Sequence, residues 1–265
     1  MHLALEPSAA PLTTVDVGGG ARVRLRVPDD DAVMEALMAK AHAEALAAGA
    51  DEYDRIMEAR CSEMMSDRPA YWAQIWPSSV AAGRRVIEQP ALVAGKSVLE
   101  VGAGLGLGSV CAAMAGASAV VATDREADAV AFARANAALN DVAVHGVQLD
   151  WSQPSPPPEQ HGDDAVAALQ QPFDLVIAAD VVYDESAVPL LARLLHARVA
   201  SGGGTVLLTD NADRPYGDGR RDGLMKLLCD EGDFVRQGES RCSSVELQTR
   251  QGGSFRIAEC VLRRV

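Results

Sequence analysis

Aromatic residues are scarce in this chain, at 4% of 265 positions. Trp72, Trp76 and Trp151 therefore stand out as candidate stacking surfaces. Cysteine is rare as well: Cys61, Cys111, Cys229, Cys242 and Cys260 are scattered, odd in number and contain no C-x-x-C pair. That pattern argues against a zinc site or a disulfide framework and for a reducing compartment. His145, His161 and His196 lack ligand spacing, so no metal is expected. Basic charge is short too, with 24 Lys and Arg against 37 Asp and Glu and a formal charge of −13. Binding to a nucleic-acid backbone relies on Lys and Arg displacing counterions, so no nucleic-acid partner is expected. An acidic surface serves solubility and also suits a basic substrate or a cationic cofactor. No run of about 18 apolar residues exists, which excludes a membrane-spanning helix. The segment MHLALEPSAAPLTTVDV has no basic start and no long apolar core, is poor in Arg and carries Glu6. It reads as neither secretory signal nor transit peptide, and a cytoplasmic location is expected.

What the chain does contain is regular. Residues 13–27 alternate apolar and polar around GGG, which predicts a hairpin. Residues 30–66, rich in Ala, Met, Glu and Asp, predict one or two helices. Residues 1–69 are thus expected to form an N-terminal extension, not an independent domain, ahead of a main α/β domain over 70–265. Pro69 and Pro77 bracket AYWAQIW, and a helix follows from about Ser78 to Gln89. Strands are predicted at Ser97–Glu100, Val120–Thr123, Val144–Leu149, Phe173–Ala178 and Thr205–Thr209. Helices are predicted around Val110–Ala115, Ala127–Asn140, Val188–Val199 and Gly223–Glu231. Residues 152–171 are Pro-rich and polar and read as a surface insertion. The end, SSVELQTRQGGSFRIAECVLRRV, reads as two strands around a QGG turn. A βα alternation that closes on a hairpin fits a sheet whose last strand inserts antiparallel.

Residues 97–124 carry the chemistry. A strand bearing Glu100 leads into a turn with Gly102, Gly104, Gly106 and Gly108, then a small-residue helix, then a strand closing on Asp124. This is the nucleoside-binding half of a doubly wound sheet. Glycines let the backbone turn tightly and expose peptide N–H groups to a ligand. A dinucleotide fingerprint, G-x-G-x-x-G, would need glycine at Leu107 or Ser109, and neither is one. Glu100 near the turn would repel a pyrophosphate and attract a cation, while Asp124 is placed to accept from both ribose hydroxyls. A ribose with a positive amino group and no phosphate suits the pair, and S-adenosylmethionine is such a ligand.

SVLEVGAGLGLGSVCAAMAGA with Thr123-Asp124 at the next strand end resembles motif I and the following acid of class I, seven-β-strand methyltransferases. YWAQIWPSS, LDW at 149–151 and FDLVIAADVVYDESAVPLLARLL at 173–195 narrow the resemblance to methyltransferase family 16, the lysine methyltransferase-like group. That group includes enzymes acting on chaperones, on elongation factors and on the β subunit of electron-transfer flavoprotein. The similarity spans about residues 70–210. It implies a Rossmann-like, doubly wound seven-stranded α/β sheet with the last strand antiparallel, behind the N-terminal hairpin and helices.

The resemblance also implies that Trp76, Glu100, Gly102, Gly104, Gly106, Asp124, Asp150, Trp151 and Ala179 hold S-adenosylmethionine. Trp151 would border the adenine, and Trp76 would lie beside cofactor and substrate; the alternative for each is a core aromatic, the reading preferred for Trp72. Asp180-Val181-Val182-Tyr183 matches the family's D/E-x-x-Y/F segment at the carboxyl edge of a strand. A lysine amine must arrive neutral and aimed, so the Asp180 carboxylate can orient it and help it lose its proton. Tyr183 can add a cation–π or hydroxyl contact. Otherwise Asp180 would cap the next helix. The segment lacks the prolines of N/D-P-P-Y/F, which counts against planar amides and adenine amines as acceptors. The expected partner is a protein substrate with a lysine acceptor. Alternatives are a small-molecule amine, a non-catalytic S-adenosylmethionine or nucleotide module, and an NAD-dependent oxidoreductase.

Overall fold

The computed structural model describes residues 5–64, 71–153, 163–213, 217–247 and 253–265. The hairpin pairs β1 (Leu12–Asp16) with β2 (Arg22–Arg26) antiparallel. Helices α1 (Asp30–Ala48) and α2 (Ala50–Met64) follow, α1 starting where the Asp29 carboxylate accepts from Ala32 N at 2.8 Å. Then come α3 (Pro77–Glu88), β3 (Ser97–Val101), α4 (Leu107–Met114), β4 (Ala119–Asp124), α5 (Ala127–Leu139) and β5 (His145–Gln148). The second half holds α6 (Asp163–Gln170), β6 (Leu175–Ala179), α7 (Val188–Arg198), β7 (Thr205–Asn211) and α8 (Gly217–Met225). Strands β8 (Phe234–Arg236), β9 (Arg241–Leu247) and β10 (Gly253–Arg264) close the chain.

The large sheet runs in the order β5-β4-β3-β6-β7-β10-β8. Pairs among β3, β4, β5, β6 and β7 are parallel, and β10 inserts antiparallel beside β7. This is the doubly wound, mostly parallel sheet with an antiparallel insertion that the closing hairpin predicts. The outer edge of β10 is shared: β8 pairs along Leu262–Arg264 and β9 along Gly253–Glu259. Eight strands therefore fill seven positions in the sheet among the described residues.

Period-two alternation sends successive side chains to opposite faces. Leu99, Val101, Val176, Ala178, Val206 and Leu208 pack under α6, α7 and α8. Val98, Val120, Leu175, Ile177 and Leu207 pack under α3 and α4, joined by Val15, Val17, Val23 and Leu25 of the hairpin. The hairpin is also tied to α5, because Asn140 Oδ1 and Asn136 Oδ1 accept from the amides of Arg24 (2.9 Å) and Arg26 (2.7 Å). Asn136 and Asn140 stand one helical turn apart, so one face of α5 serves as a surrogate partner strand for β2.

Three elements differ from the expectations. Residues 163–170 of the presumed surface insertion form α6, and its Leu169 is buried in the core beside β5; the start of the insertion lies outside the described residues. Strand β8 was not foreseen, because three residues carry no readable alternation. The helix expected from Gly223 begins at Gly217 and passes into a π turn at Lys226–Asp230. The QGG turn falls largely outside the described residues. No helix among them is long and apolar enough to cross a membrane.

Gly106 sets the distance between α4 and α5. It begins α4 with φ +78°, and a Cβ there would lie 2.7 Å from Ala133 Cβ and 2.9 Å from Ala133 Cα. Gly106→Ala combines a left-handed alanine with a helix–helix overlap, for a cost of about 2–4 kcal/mol. Urea unfolding of this variant should show the loss as a lower midpoint.

Candidate active site

The carboxyl ends of β3, β4, β5 and β6 open on one cavity of about 260 Å³. Ligands of open α/β sheets bind at this edge. Its floor is the glycine turn, where Gly102 (φ +61°) and Gly104 (φ +51°) are left-handed. Asp124 and Glu126 follow β4, and Asp150 and Trp151 follow β5. Ala179, Asp180, Tyr183 and Asp184 follow β6, and Tyr71, Gln74 and Trp76 form the front wall. Of the residues expected to hold cofactor or acceptor, all but Gly106 line this space; Gly106 faces Ala133 and serves packing.

Glu100 points to the α4 side of the sheet and is 2% exposed. Its Oε2 accepts from Ser109 N (2.7 Å) and Ser109 Oγ (2.6 Å), tying the strand to the first turn of the helix. Burial pushes the carboxyl up to about 7, with the Ser109 bonds pulling the other way. Gly108 is required here, since a Cβ at that position would overlap the Glu100 carboxylate. Ser109, where a dinucleotide fingerprint would want its third glycine, is thus the partner of the acid.

Asp124 has both oxygens committed: Oδ2 accepts from Gly104 N (2.9 Å) and Oδ1 from Glu126 N (3.0 Å). Its pKa is raised, chiefly by burial. Asp150 is exposed on the rim, and Ser152 N (2.7 Å) and Ser152 Oγ (2.6 Å) donate to it and lower its pKa. The Trp151 ring lies 3.8 Å from where a Gly102 Cβ would stand, so the indole borders the glycine turn.

Asp180 adopts φ +58° and is 8% exposed. A left-handed non-glycine residue costs on the order of 1 kcal/mol and persists only where its surroundings fix it. Helix capping in this segment belongs instead to Asp184, whose Oδ1 accepts from Ser186 N at 3.0 Å. Tyr183, 41% exposed, has its phenol pKa raised chiefly by burial of the ring's polar end. Its ring meets Tyr71 edge to face at 5.4 Å, and Tyr71 meets Trp76 likewise at 5.5 Å. Trp76 Nε1 donates to the Tyr71 carbonyl at 2.8 Å, which locks the corner. Tyr71 escaped the sequence reading although it starts the YWAQIW segment. Trp72 is buried against Phe132 at 5.4 Å, as a core aromatic would be, and also lines the cavity.

Among the described lining residues, Glu100, Asp124, Glu126, Asp150, Asp180 and Asp184 are acidic, and Arg125 alone is basic. Such a cleft focuses a negative field and selects a cationic ligand over a phosphate.

The fold is that of the Rossmann-like methyltransferases. A Pyrococcus horikoshii protein assigned provisionally to the RNA methyltransferases shares the fold with a TM-score of 0.54 at 17% identity, over 75% of this chain and 89% of that one. A methyltransferase-like structure from Bacillus halodurans gives 0.51 at 17% identity, over 68% and 97%. The pattern of the lysine methyltransferase family matches residues 63–215. The chain belongs to that family, whose methyl donor is S-adenosylmethionine. It is 30% identical over 148 residues to the electron transfer flavoprotein beta subunit lysine methyltransferase of Danio rerio, covering 56% of this chain and 52% of that protein. It is 36% identical over 120 residues to the protein N-lysine methyltransferase METTL21A of Danio rerio, covering 43% and 49%. The chain thus spans about half the length of the curated relatives it matches.

Glu100 makes stability depend on pH. In the fold its proton is held to about pH 7, in the unfolded chain only to about 4.5. The raised value means its contribution is whole below 4.5 and is lost as pH rises through 7. Between pH 4.5 and 7.5 the wild type should lose up to about 3 kcal/mol relative to Glu100→Gln. Urea unfolding of the two proteins across that range measures the difference.

Proposed function

We propose that this protein transfers a methyl group from S-adenosylmethionine to the side-chain amine of a protein lysine. The observation that carries the reading is one acidic cavity at the carboxyl ends of the strands, which we read as having a nucleoside end and an acceptor end. Asp124, Asp150 and Trp151 stand at the first, and Asp180, Tyr183, Tyr71 and Trp76 at the second. When bound, the cofactor supplies an electrophilic methyl carbon on a sulfonium.

The residues present fit such a ligand. Asp124 is already oriented by the Gly104 and Glu126 amides and can accept from ribose hydroxyls. Trp151 offers a face to the adenine, and Glu100 beneath the turn attracts the amino group of the methionine moiety. At the other end a lysine side chain brings an apolar stem and a cationic head. The Tyr71, Trp76 and Tyr183 rings suit both, by apolar contact with the stem and by cation–π attraction to the head. An amine attacks only with its lone pair free, so it must shed a proton and aim its nitrogen along one line. Asp180, largely out of water, can accept a hydrogen bond from the amine and set that line. The protein's relatives are named for lysine acceptors on electron transfer flavoprotein β subunit, calmodulin and other proteins, which supports a folded protein as substrate here. Five free cysteines suit a reducing cytoplasm.

Tritiated S-adenosylmethionine incubated with enzyme and total soluble cell protein should label protein bands, and mass spectrometry should place the label on lysine. Label confined to small molecules would move the reading to a small amine acceptor, and no label would overturn it. Asp124→Ala should weaken cofactor binding at least tenfold by calorimetry and lower the melting temperature by several degrees, because the Gly104 and Glu126 amides lose their acceptor. Asp180→Asn should lower kcat by about 10²–10³ while leaving cofactor affinity near the wild type.

A further inference from the structure

Behind the acceptor end lies a closed ring of hydrogen bonds among three buried residues from three elements. Ser78 Oγ, in the first turn of α3, donates to Asp180 Oδ2 at 3.2 Å. The Asp180 amide donates to the Thr209 carbonyl of β7 at 2.9 Å. Thr209 Oγ1 in turn donates to the Ser78 carbonyl at 2.9 Å. Ser78 and Thr209 are each 0% exposed and Asp180 is 8% exposed, so water does not compete for these bonds. Neither Ser78 nor Thr209 lines the cavity.

Two features make the ring more than packing. Asp180 holds a left-handed backbone that a non-glycine residue leaves unless its surroundings hold it, and its amide bond to Thr209 is one of the restraints. The carboxylate also has two oxygens, and the Ser78 hydroxyl engages one of them. A carboxylate rotor free about χ2 samples many directions; one whose Oδ2 is engaged from α3 is held near one orientation. Ser78 is itself fixed from both sides. Pro77 at the first helical position presets the turn, and Thr209 grips the Ser78 carbonyl.

We propose that Ser78 and Thr209 are positioning residues that aim the Asp180 carboxylate at the acceptor amine. The inference rests on the lysine-methyltransferase reading of the site. Because they act through Asp180, their loss should slow turnover without touching the cofactor. Ser78→Ala should lower kcat about tenfold, with the Kd for S-adenosylmethionine within twofold of wild type. Thr209→Val, nearly isosteric, should lower it several-fold, and Thr209→Ser, which keeps the hydroxyl, should restore it. In an Asp180→Ala background, Ser78→Ala should cause no further loss.

The assay is the initial rate of tritium transfer from S-adenosylmethionine into total soluble cell protein, at limiting and near-saturating protein. Melting temperatures run alongside identify any variant that fails to fold. A Ser78→Ala enzyme that folds and turns over at the wild-type rate overturns the proposal, as does an additive loss in the Asp180→Ala background. The orientation can also be read without turnover. A crystal structure of Ser78→Ala should show the Asp180 carboxylate rotated from its wild-type direction, and an unmoved carboxylate overturns the proposal. A wild type that labels no protein would instead undercut the functional reading, leaving the ring to be judged by that structure.

Discussion

The joint between Glu100 and Ser109 is the contact on which the site depends. A strand and the helix after it must be held at a fixed angle if the turn between them is to present peptide groups to a ligand. Here that angle is set by a buried carboxylate gripping the backbone and hydroxyl of Ser109 in the first turn of α4. The N-terminal end of a helix carries unpaired amides and a partial positive charge, so an acid is the natural anchor for it. The anchor demands close approach, and Gly108 provides it by lacking a Cβ. Gly106 does the same for α5, whose Ala133 sits where a side chain would go. Once both helices are seated, Gly102 and Gly104 can only trace the loop that lines the cavity.

The second anchor extends the first. Asp124 reaches back from β4 to the Gly104 amide and forward to the Glu126 amide. One carboxylate thus staples the turn after β3 to the turn after β4. A ligand offering hydroxyls to Asp124 therefore meets a group already oriented, and the binding energy is not spent on ordering it. Electrostatics follow from the same crowding. Glu100 and Asp124 both have raised pKa values because burial disfavours their charges. A cation entering the cleft relieves that penalty, whereas a phosphate would add to it.

Much of this was legible in the sequence because strong local signals coincided with the global fold. Strand, glycine turn, helix and acid occur in order over 97–124, and the strand after Phe173 reads as a continuous apolar run. Asp180 and Tyr183 were found by their position at a strand end. What escaped did so for physical reasons. Leu169 and α6 sit behind a Pro-rich stretch whose composition outweighs eight helical residues. Strand β8 is too short for a period. Tyr71 and Ser78 look like neighbours of more conspicuous residues, since nothing local reveals that they meet Tyr183 and Asp180 over a hundred positions away. Gly106 and Gly108 exchanged importance, because a glycine's reason for being one is the atom it would otherwise strike. That atom belongs to another element.

On the proposed reading, the layout also separates what would recognise the cofactor from what would recognise the acceptor. Most of the proposed cofactor contacts arise from the ends of β3, β4 and β5, whose geometry follows from local motifs and short crossovers. The acceptor end depends on α3 and the segment before it, brought across the sheet from far upstream in the chain to meet β6 and β7. A substitution in the glycine turn disturbs a compact local unit, whereas one in Tyr71–Ser79 changes a corner held by edge-to-face rings and a few buried hydrogen bonds. If the proposed assignment holds, a change of acceptor falls on that corner and leaves the glycine turn as it is. Functional sites on α/β folds vary at the loops while the sheet is kept. Here the physical reason is specific: the ring through Ser78, Asp180 and Thr209 fixes one carboxylate from behind, leaving the aromatic wall in front of it free to vary in shape.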